Sequence, residues 1–445
     1  MIEPIVENMH VYYQLRFSLQ SSLMLGSGQA EMTDHDLLLD GADRPYIPGT
    51  TIAGMLRALA SEADRAKLFG DLSKGQSPLF VYDAVCVTKD LHFSIRDNVA
   101  LDEYKTARDK MKLDYQVLEP DAEFVCVLEM NKDVPVDIKN KVEQLIALLV
   151  RDGCAFGSKK NRGMGCMKIS ARRRTFCFGL AEQKKDWLDF DPFDEKVYDS
   201  GDVITAATAE VRPEAEDTLT VTMGLRLTGG LSIRVYTTEV NGADYQTIAY
   251  ERDQNGGKPN AAIVPGTSWA GAFRSRVQLL AGDAAQALFG YVIEAQGDMP
   301  TRARQSYVRF SETVLIGGAA QKITRNAIDR MTGKTRDGAL YTEQMYYGGT
   351  GELCVSLRRL QPDDETADAA AYAKACRALG AAMADLHHGY LAVGGLTSVG
   401  RGLFAIEELK VDGKTYNLHS DGWENRLIEA LGSNAVVRKE AQEHA

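Results

Sequence analysis

A short phrase that the chain uses twice constrains its folding more than any other feature. Residues 47–57 read Ile-Pro-Gly-Thr-Thr-Ile-Ala-Gly-Met-Leu-Arg, and residues 264–274 read Val-Pro-Gly-Thr-Ser-Trp-Ala-Gly-Ala-Phe-Arg. Pro, Gly, Thr, Gly and Arg keep their spacing, and a Leu-Phe-Gly follows each copy, at Gly70 and at Gly290. A repeat of this kind predicts two copies of one folding unit. In both copies Pro-Gly breaks extended chain, and a helix is expected to start there with Thr50 or Thr51 as its cap. Ile52, Met55, Leu56 and Leu59 recur at helical spacing, which predicts a helix to about residue 63. The amides at such a helix start carry partial positive charge and suit a phosphate. One copy alone would read as a capped helix without a ligand.

The rest of each half follows one programme: strand, Pro-Gly turn and helix, strands with a basic insertion, helix, Gly-rich loop, strand. This predicts an α+β fold, with helices packed on an antiparallel sheet in an order compatible with a ferredoxin-like unit. Residues 98–118 are charged and irregular, and read as a solvated helix or as an insertion reaching away from the core. Residues 1–178 are expected as the first domain. An acidic connection (179–218), a second domain (219–415) and a C-terminal helix with a charged tail (416–445) follow.

Two Gly-rich loops stand late in the halves. The first carries Gly163 and Gly165 among Lys159, Lys160 and Arg162, with Arg172, Arg173 and Arg174 further on; the second carries Gly400, Arg401 and Gly402. Glycines let backbone approach a ligand closely, and the cations suit phosphate. Lys322, Arg325 and Arg330 make the insertion of the second half basic.

The net charge of −11 speaks against a protein that coats nucleic acid along its whole surface. It leaves a local basic groove open, because counterion release depends on the cations that touch phosphate. The seven cysteines are scattered without metal-ligand spacing, and read as reduced core thiols of a cytoplasmic protein. His387 and His388 read as packing and capping. The N-terminus lacks the pattern of a secretory signal, and no apolar run approaches the ~20 residues needed to span a bilayer, so no membrane partner is expected.

These motifs resemble those of the CRISPR-associated RAMP superfamily. The likeness rests on the two Pro-Gly phrases, the C-terminal Gly-rich loop, and the run Ala327 to Gly333 followed by Gly338-Ala339-Leu340-Tyr341. It covers the chain apart from the connection and the tail. The chain is most similar to backbone subunits of type III effector complexes, two of which would here be fused, as in III-D-like systems. The resemblance implies RRM-like domains that hold a guide RNA through its backbone, with Thr50, Thr51, Arg57, Thr267, Ser268 and Arg274 joining the loop cations as RNA contacts. It implies insertions that act as thumbs on the guide–target duplex. Its implied partners are guide RNA, target RNA, other RAMP subunits and a large polymerase-like subunit. In such subunits target RNA is cut at a loop aspartate before the Pro-Gly phrase; counting back places it at Asp34 and Asp244. A divalent cation, Mg²⁺ or Mn²⁺, would be held there. A non-cutting scaffold remains the alternative, and guide-precursor processing a third reading, disfavoured because neither Gly-rich loop has a histidine nearby.

Overall fold

The computed structural model describes residues 8–28, 33–71, 75–101, 106–208, 218–236, 242–250, 261–293, 301–361 and 368–436. Lys105, Pro213 and the charged tail beyond residue 436 lie outside the described residues. The chain divides into two compact units: Met1–Asn98, Lys112–Lys160 and Met164–Val211 form one, and Val99–Met111, Asn161–Gly163 and Arg212–Ala445 the other.

In the first unit β1 (Met9–Leu19) is the central strand. Its odd positions, Val11, Tyr13, Leu15 and Phe17, are buried against helices, as a period of two requires. Helix α1 (Gly49–Leu59) follows, then β2 (Ala84–Cys86). Next come β3 (Phe93–Leu101) and β4 (Ala107–Leu118), β5 (Glu123–Met130), α2 (Val136–Asp152) and β6 (Cys166–Cys177). The sheet runs β6-β1-β5-β2, and β1 pairs antiparallel with both β5 and β6. Helix α2 packs Ile138, Val142, Leu145, Ile146 and Leu149 onto it from one stripe.

The second unit repeats this order. Strand β8 (Thr218–Leu227), α4 (Gly266–Ala281), β9 (Val308–Phe310), β10 (Ala319–Ile328) and β11 (Thr335–Tyr347) come first. Then follow β12 (Thr350–Arg358), α5 (Ala369–His387), β13 (Phe404–Val411) and α6 (Trp423–Ser433). The sheet order β9-β12-β8-β13 is the counterpart of the first. In α4, Trp269, Phe273, Val277 and Ala281 are all buried at intervals of one turn. Trp269 Nε1 donates to Thr313 Oγ1 at 3.0 Å, which satisfies a polar atom deep in this core. The protein is thus α+β with antiparallel sheets, as expected.

Several local expectations are corrected. Of residues 98–118, those described lie in the two-stranded pair β3 and β4, which excludes the helix and leaves the insertion. The deciding pattern is the alternation Leu113, Tyr115, Val117, which brings Tyr115 and Val117 inside. Helix α1 ends at Leu59 because Ala60 and Ser61 are extended, and a second helix, Glu62–Phe69, restarts there. Neither Thr50 nor Thr51 caps α1: Pro48 holds the cap position, and no side chain bonds there. Residues 230–236 leave the β8 sheet and join β11 and Tyr245–Thr247 in a separate one.

Much of the expected connection is folded onto the first unit. Helix α3 (Ala181–Leu188) is followed by a 3₁₀ turn at Glu195–Tyr198 and by strand β7 (Asp202–Ile204), which pairs with β6. Trp187, Phe190, Val197 and Tyr198 pack against Tyr12, Val127 and Phe176 on the sheet face away from the helices. Apolar rings in an acidic segment supply the burial that a solvated linker would lack. Among the described residues no helix is long and apolar enough to cross a membrane, and all seven cysteines are free thiols.

Candidate nucleic-acid interface

In each unit the loop aspartate grips the base of the long hairpin. In the first, the Asp34 amide donates to Asp114 Oδ1 at 2.9 Å, and the Asp114 amide donates to Asp34 Oδ2 at 2.9 Å. In the second, the Asp244 amide donates to the Thr342 carbonyl at 2.8 Å, and the Thr342 amide donates to Asp244 Oδ2 at 2.7 Å. Asp114 and Thr342 occupy corresponding places on β4 and β11. The next residues correspond too: His35 bridges Tyr115, and Tyr245 pairs in parallel with Glu343. Both aspartates are exposed at the surface. Asp36 turns inward instead, accepting from the Thr33 amide and hydroxyl at 2.9 and 2.8 Å.

The neighbourhoods differ in charge. Tyr115 is buried, and the Lys159 ammonium lies 3.4 Å from its ring centroid. Burial pushes the Lys159 pKa down to about 8. In the second unit the corresponding position is Glu343, 1% exposed, which pairs with Arg234 at 3.1 Å and Arg325 at 3.8 Å. Arg234 also lies over the Tyr245 ring, 4.6 Å from its centroid.

The Gly-rich loops superimpose residue for residue in their bonding. Phe156 N–H donates to Gly165 O and Ser158 N–H to Met24 O in the first; Val393 N–H donates to Gly402 O and Gly395 N–H to Ser232 O in the second. Lys159 and Leu396 both adopt left-handed backbone, with φ of 55° and 57°. A 3₁₀ turn follows in each, Lys160–Arg162 and Thr397–Val399, and then a left-handed Gly163 or Gly400. A Cβ on Gly165 would stand 2.0 Å from Phe156 O, and one on Gly402 1.8 Å from Val393 O. Glycine is required at these two places by the turn itself. The loops share a backbone and differ in chemistry: the positions of Lys159 and Arg162 hold Leu396 and Val399 in the second loop, and that of Met164 holds Arg401. Lys160 is exposed, Arg162 is half-buried with its pKa lowered by burial, and Arg401 lies 5.6 Å from the Tyr347 ring centroid.

The Pro-Gly phrases are tied down more than the sequence suggested. Gly49 N–H donates to Asp83 Oδ1 at 2.7 Å, and a Cβ there would meet Val81 O at 2.4 Å. Arg57 Nη1 donates to Gly70 O at 3.0 Å, linking the phrase to its Leu-Phe-Gly. Thr50 and Arg274 are exposed, and Thr51, Thr267 and Ser268 are half-buried on the first turns. On the second hairpin Lys322 and Arg330 are exposed, whereas Arg325 is drawn to Glu343. The run from Ala327 to Gly333 ends β10 and makes the turn of the hairpin. Asp329 Oδ1 accepts from the Met331 and Thr332 amides and the Thr332 hydroxyl, and these bonds hold its carboxyl below the usual range. Met331, 94% exposed, stands at the tip.

The arginine run of β6 is not displayed as expected. Arg172 Nη1 donates to the carbonyls of Tyr198 and Asp199, Arg173 pairs with Glu143 and Asp202, and Arg174 donates to Ser200. Asp114 and Thr342 escaped the sequence reading. Their one shared signal is a glutamine two residues on, Gln116 and Gln344.

The profile of the RAMP superfamily matches residues 16–168 and 247–405, one segment in each half. The chain belongs to the RAMP superfamily. Each RAMP segment carries its own Pro-Gly helix, hairpin and Gly-rich loop. Among solved structures the chain is similar to one in the cryo-EM structure of the type III-B Cmr-beta complex bound to cognate target RNA. The two share 13% identity with a TM-score of 0.32, over 37% of this chain and 60% of that one. No curated protein matches this RAMP chain.

Proposed function

We propose that this RAMP protein is a guide-RNA-binding backbone subunit of a type III CRISPR effector complex, two ferredoxin-like modules in one chain. In this reading it cleaves guide-paired target RNA beside Asp34 and Asp244. The observation that carries it is the repeated clasp: each unit fixes one exposed carboxylate at the base of its hairpin, where a duplex held by the Gly-rich loop and touched by the hairpin would pass. Sequence readout belongs to guide pairing, so the protein needs only backbone contacts. The loop cations Lys159, Lys160 and Arg162 supply them in the first RAMP segment, and Lys322, Arg330 and Arg401 in the second. Target RNA, sibling RAMP subunits and a polymerase-like large subunit are the partners.

RNA carries its own nucleophile. The 2′-oxygen attacks the adjacent phosphorus and the P–O5′ bond breaks. Asp34 or Asp244 takes the 2′-hydroxyl proton and returns it to solvent, the departing 5′-oxygen takes a proton from water, and the products are a 2′,3′-cyclic phosphate and a 5′-hydroxyl. The donor set fits a divalent cation better in one unit than in the other. Asp34 has Asp114 beside it, and Mg²⁺ is commonly held by one or two carboxylates plus substrate phosphate. Asp244 is the one carboxylate of its clasp. When bound, the ion would neutralise charge on the phosphate.

One observation favours the alternative of a scaffold that does not cut: each aspartate already spends an oxygen on a hairpin amide, and among the described residues no three His, Cys, Asp or Glu converge for a metal. The assembled complex given complementary RNA and Mg²⁺ decides. Loss of one product band with Asp34→Ala and of another with Asp244→Ala is expected; a full ladder from both variants rejects the nuclease reading.

A further inference from the structure

The sheet face opposite the helices is covered in the first unit by residues 181–204, and its chemistry differs from that of the second unit. Alternate residues of β1 and their β6 partners point outward together: His10 with Phe176, Tyr12 with Arg174, Gln14 with Arg172 and Arg16 with Ser170. Rings therefore cluster at one end and guanidiniums follow. The corresponding positions of β8 and β13 are Thr222 with Lys410, Gly224 with Glu408 and Arg226 with Ala405. The aromatic cluster is thus not demanded by the fold.

What covers it matches it group for group. Phe190 lies 5.0 Å from the Tyr12 ring and 4.9 Å from that of Phe176, and Trp187 lies 5.5 Å from His10. Glu195 pairs with Arg16, carbonyl oxygens of Tyr198 and Asp199 accept from Arg172 at 3.1 and 2.6 Å, and the Ser200 hydroxyl accepts from Arg174 at 2.7 Å. The segment presents flat rings to rings and oxygens to guanidiniums. The segment is held by buried Tyr198 and Ile204 and by three residues paired with the sheet edge, whereas helix Ala181–Leu188 at its start buries no residue.

We propose that this face is a second RNA platform, for single-stranded RNA, and that residues 181–204 occupy it as an internal stand-in for the strand. Single-stranded RNA offers the same alternation of flat rings and anionic oxygens, and stacking platforms flanked by cations are how it is bound without sequence preference. The platform is separate from the clasps and the Gly-rich loops.

The test uses the full chain on a Lys159→Ala, Lys160→Ala, Arg162→Ala background, with fluorescein-labelled octauridine followed by anisotropy. Trp187→Ala with Phe190→Ala should bind the probe roughly tenfold tighter than the background, the gain of one added stacking contact. Adding Arg16→Ala and Arg172→Ala should abolish the gain. A 4-thiouridine probe should crosslink to the peptides holding Tyr12 and Phe176 in the opened protein alone. Should the opened variant fail to fold by circular dichroism, Glu195→Lys, which repels Arg16 from a surface position, takes its place. A folded, opened protein with unchanged affinity and no such crosslinks overturns the proposal. Loss of RNA cleavage or guide binding elsewhere would leave this result unaffected, so the two readings fail separately.

Discussion

Asp34 and Asp114 hold each other by the backbone, each carboxylate accepting the other residue's amide at 2.9 Å. The side chain proposed for chemistry is therefore also a structural tie between loop and hairpin. Asp34→Asn keeps an oxygen acceptor and removes the charge; Asp34→Ala removes both. A hydrogen bond of this type contributes about 1 kcal/mol. Exchange of the Asp114 amide should therefore be roughly fivefold faster in the alanine variant and near wild type in the asparagine one. Cleavage should be lost in both. Cleavage that survives in Asp34→Asn would show that the carboxylate acts only as a tie.

The Lys159 pKa of about 8 makes guide binding sensitive to mild alkali. The ammonium is charged at pH 7 and largely neutral by pH 9, so affinity for a phosphate backbone should fall across that range. The salt dependence of log K should become shallower by about one phosphate contact. Lys159→Arg keeps its charge and should flatten the profile. The sign for stability is opposite. The folded state binds fewer protons than the unfolded state between about 8 and the ordinary lysine pKa, so this group's contribution to stability rises with pH through that window.

The glycines of the second Gly-rich loop separate crowding from backbone strain. Gly400 has a φ of 79° and open space around it, whereas Gly402 has a φ of 71° and a carbonyl where its Cβ would stand. Gly400→Ala should cost about 1 kcal/mol. Gly402→Ala should cost several times more, read as a much larger fall in melting temperature. Equal costs would contradict the placement of Val393.

Arg57 and Arg274 share a motif position and should part company on substitution. Arg57 bonds to the Gly70 carbonyl, so Arg57→Met should lower the stability of the first unit by about 1 kcal/mol with guide affinity little changed. Exposed Arg274 should behave the other way when made methionine. Denaturant unfolding beside a guide-binding titration separates the two outcomes.

The repeat made the doubled architecture legible because Pro-Gly, Leu-Phe-Gly and the glycine spacing are local requirements of turns. The stripe of α1 was legible from its helical spacing, and Ile52 and Leu56 are buried. The hairpins were harder to read. Residues 98–118 mix charge with a period of two that is buried at one end only, at Tyr115 and Val117. The partners of Asp34 and Asp244 were invisible, since Asp114 and Thr342 are different residues that use their backbones alike. The acidic segment misled because its function in the fold rests on a few rings, Trp187, Phe190 and Tyr198, scattered among carboxylates.

The turn at Asp329 has a consequence for whatever the second hairpin touches. Its hydrogen bonds are satisfied within the turn, by Met331, Thr332 and Lys334. Met331 is therefore held out into solvent by a tip that already has its final shape. An incoming surface has no loop to order before meeting the thioether, so the entropy of docking falls on the partner.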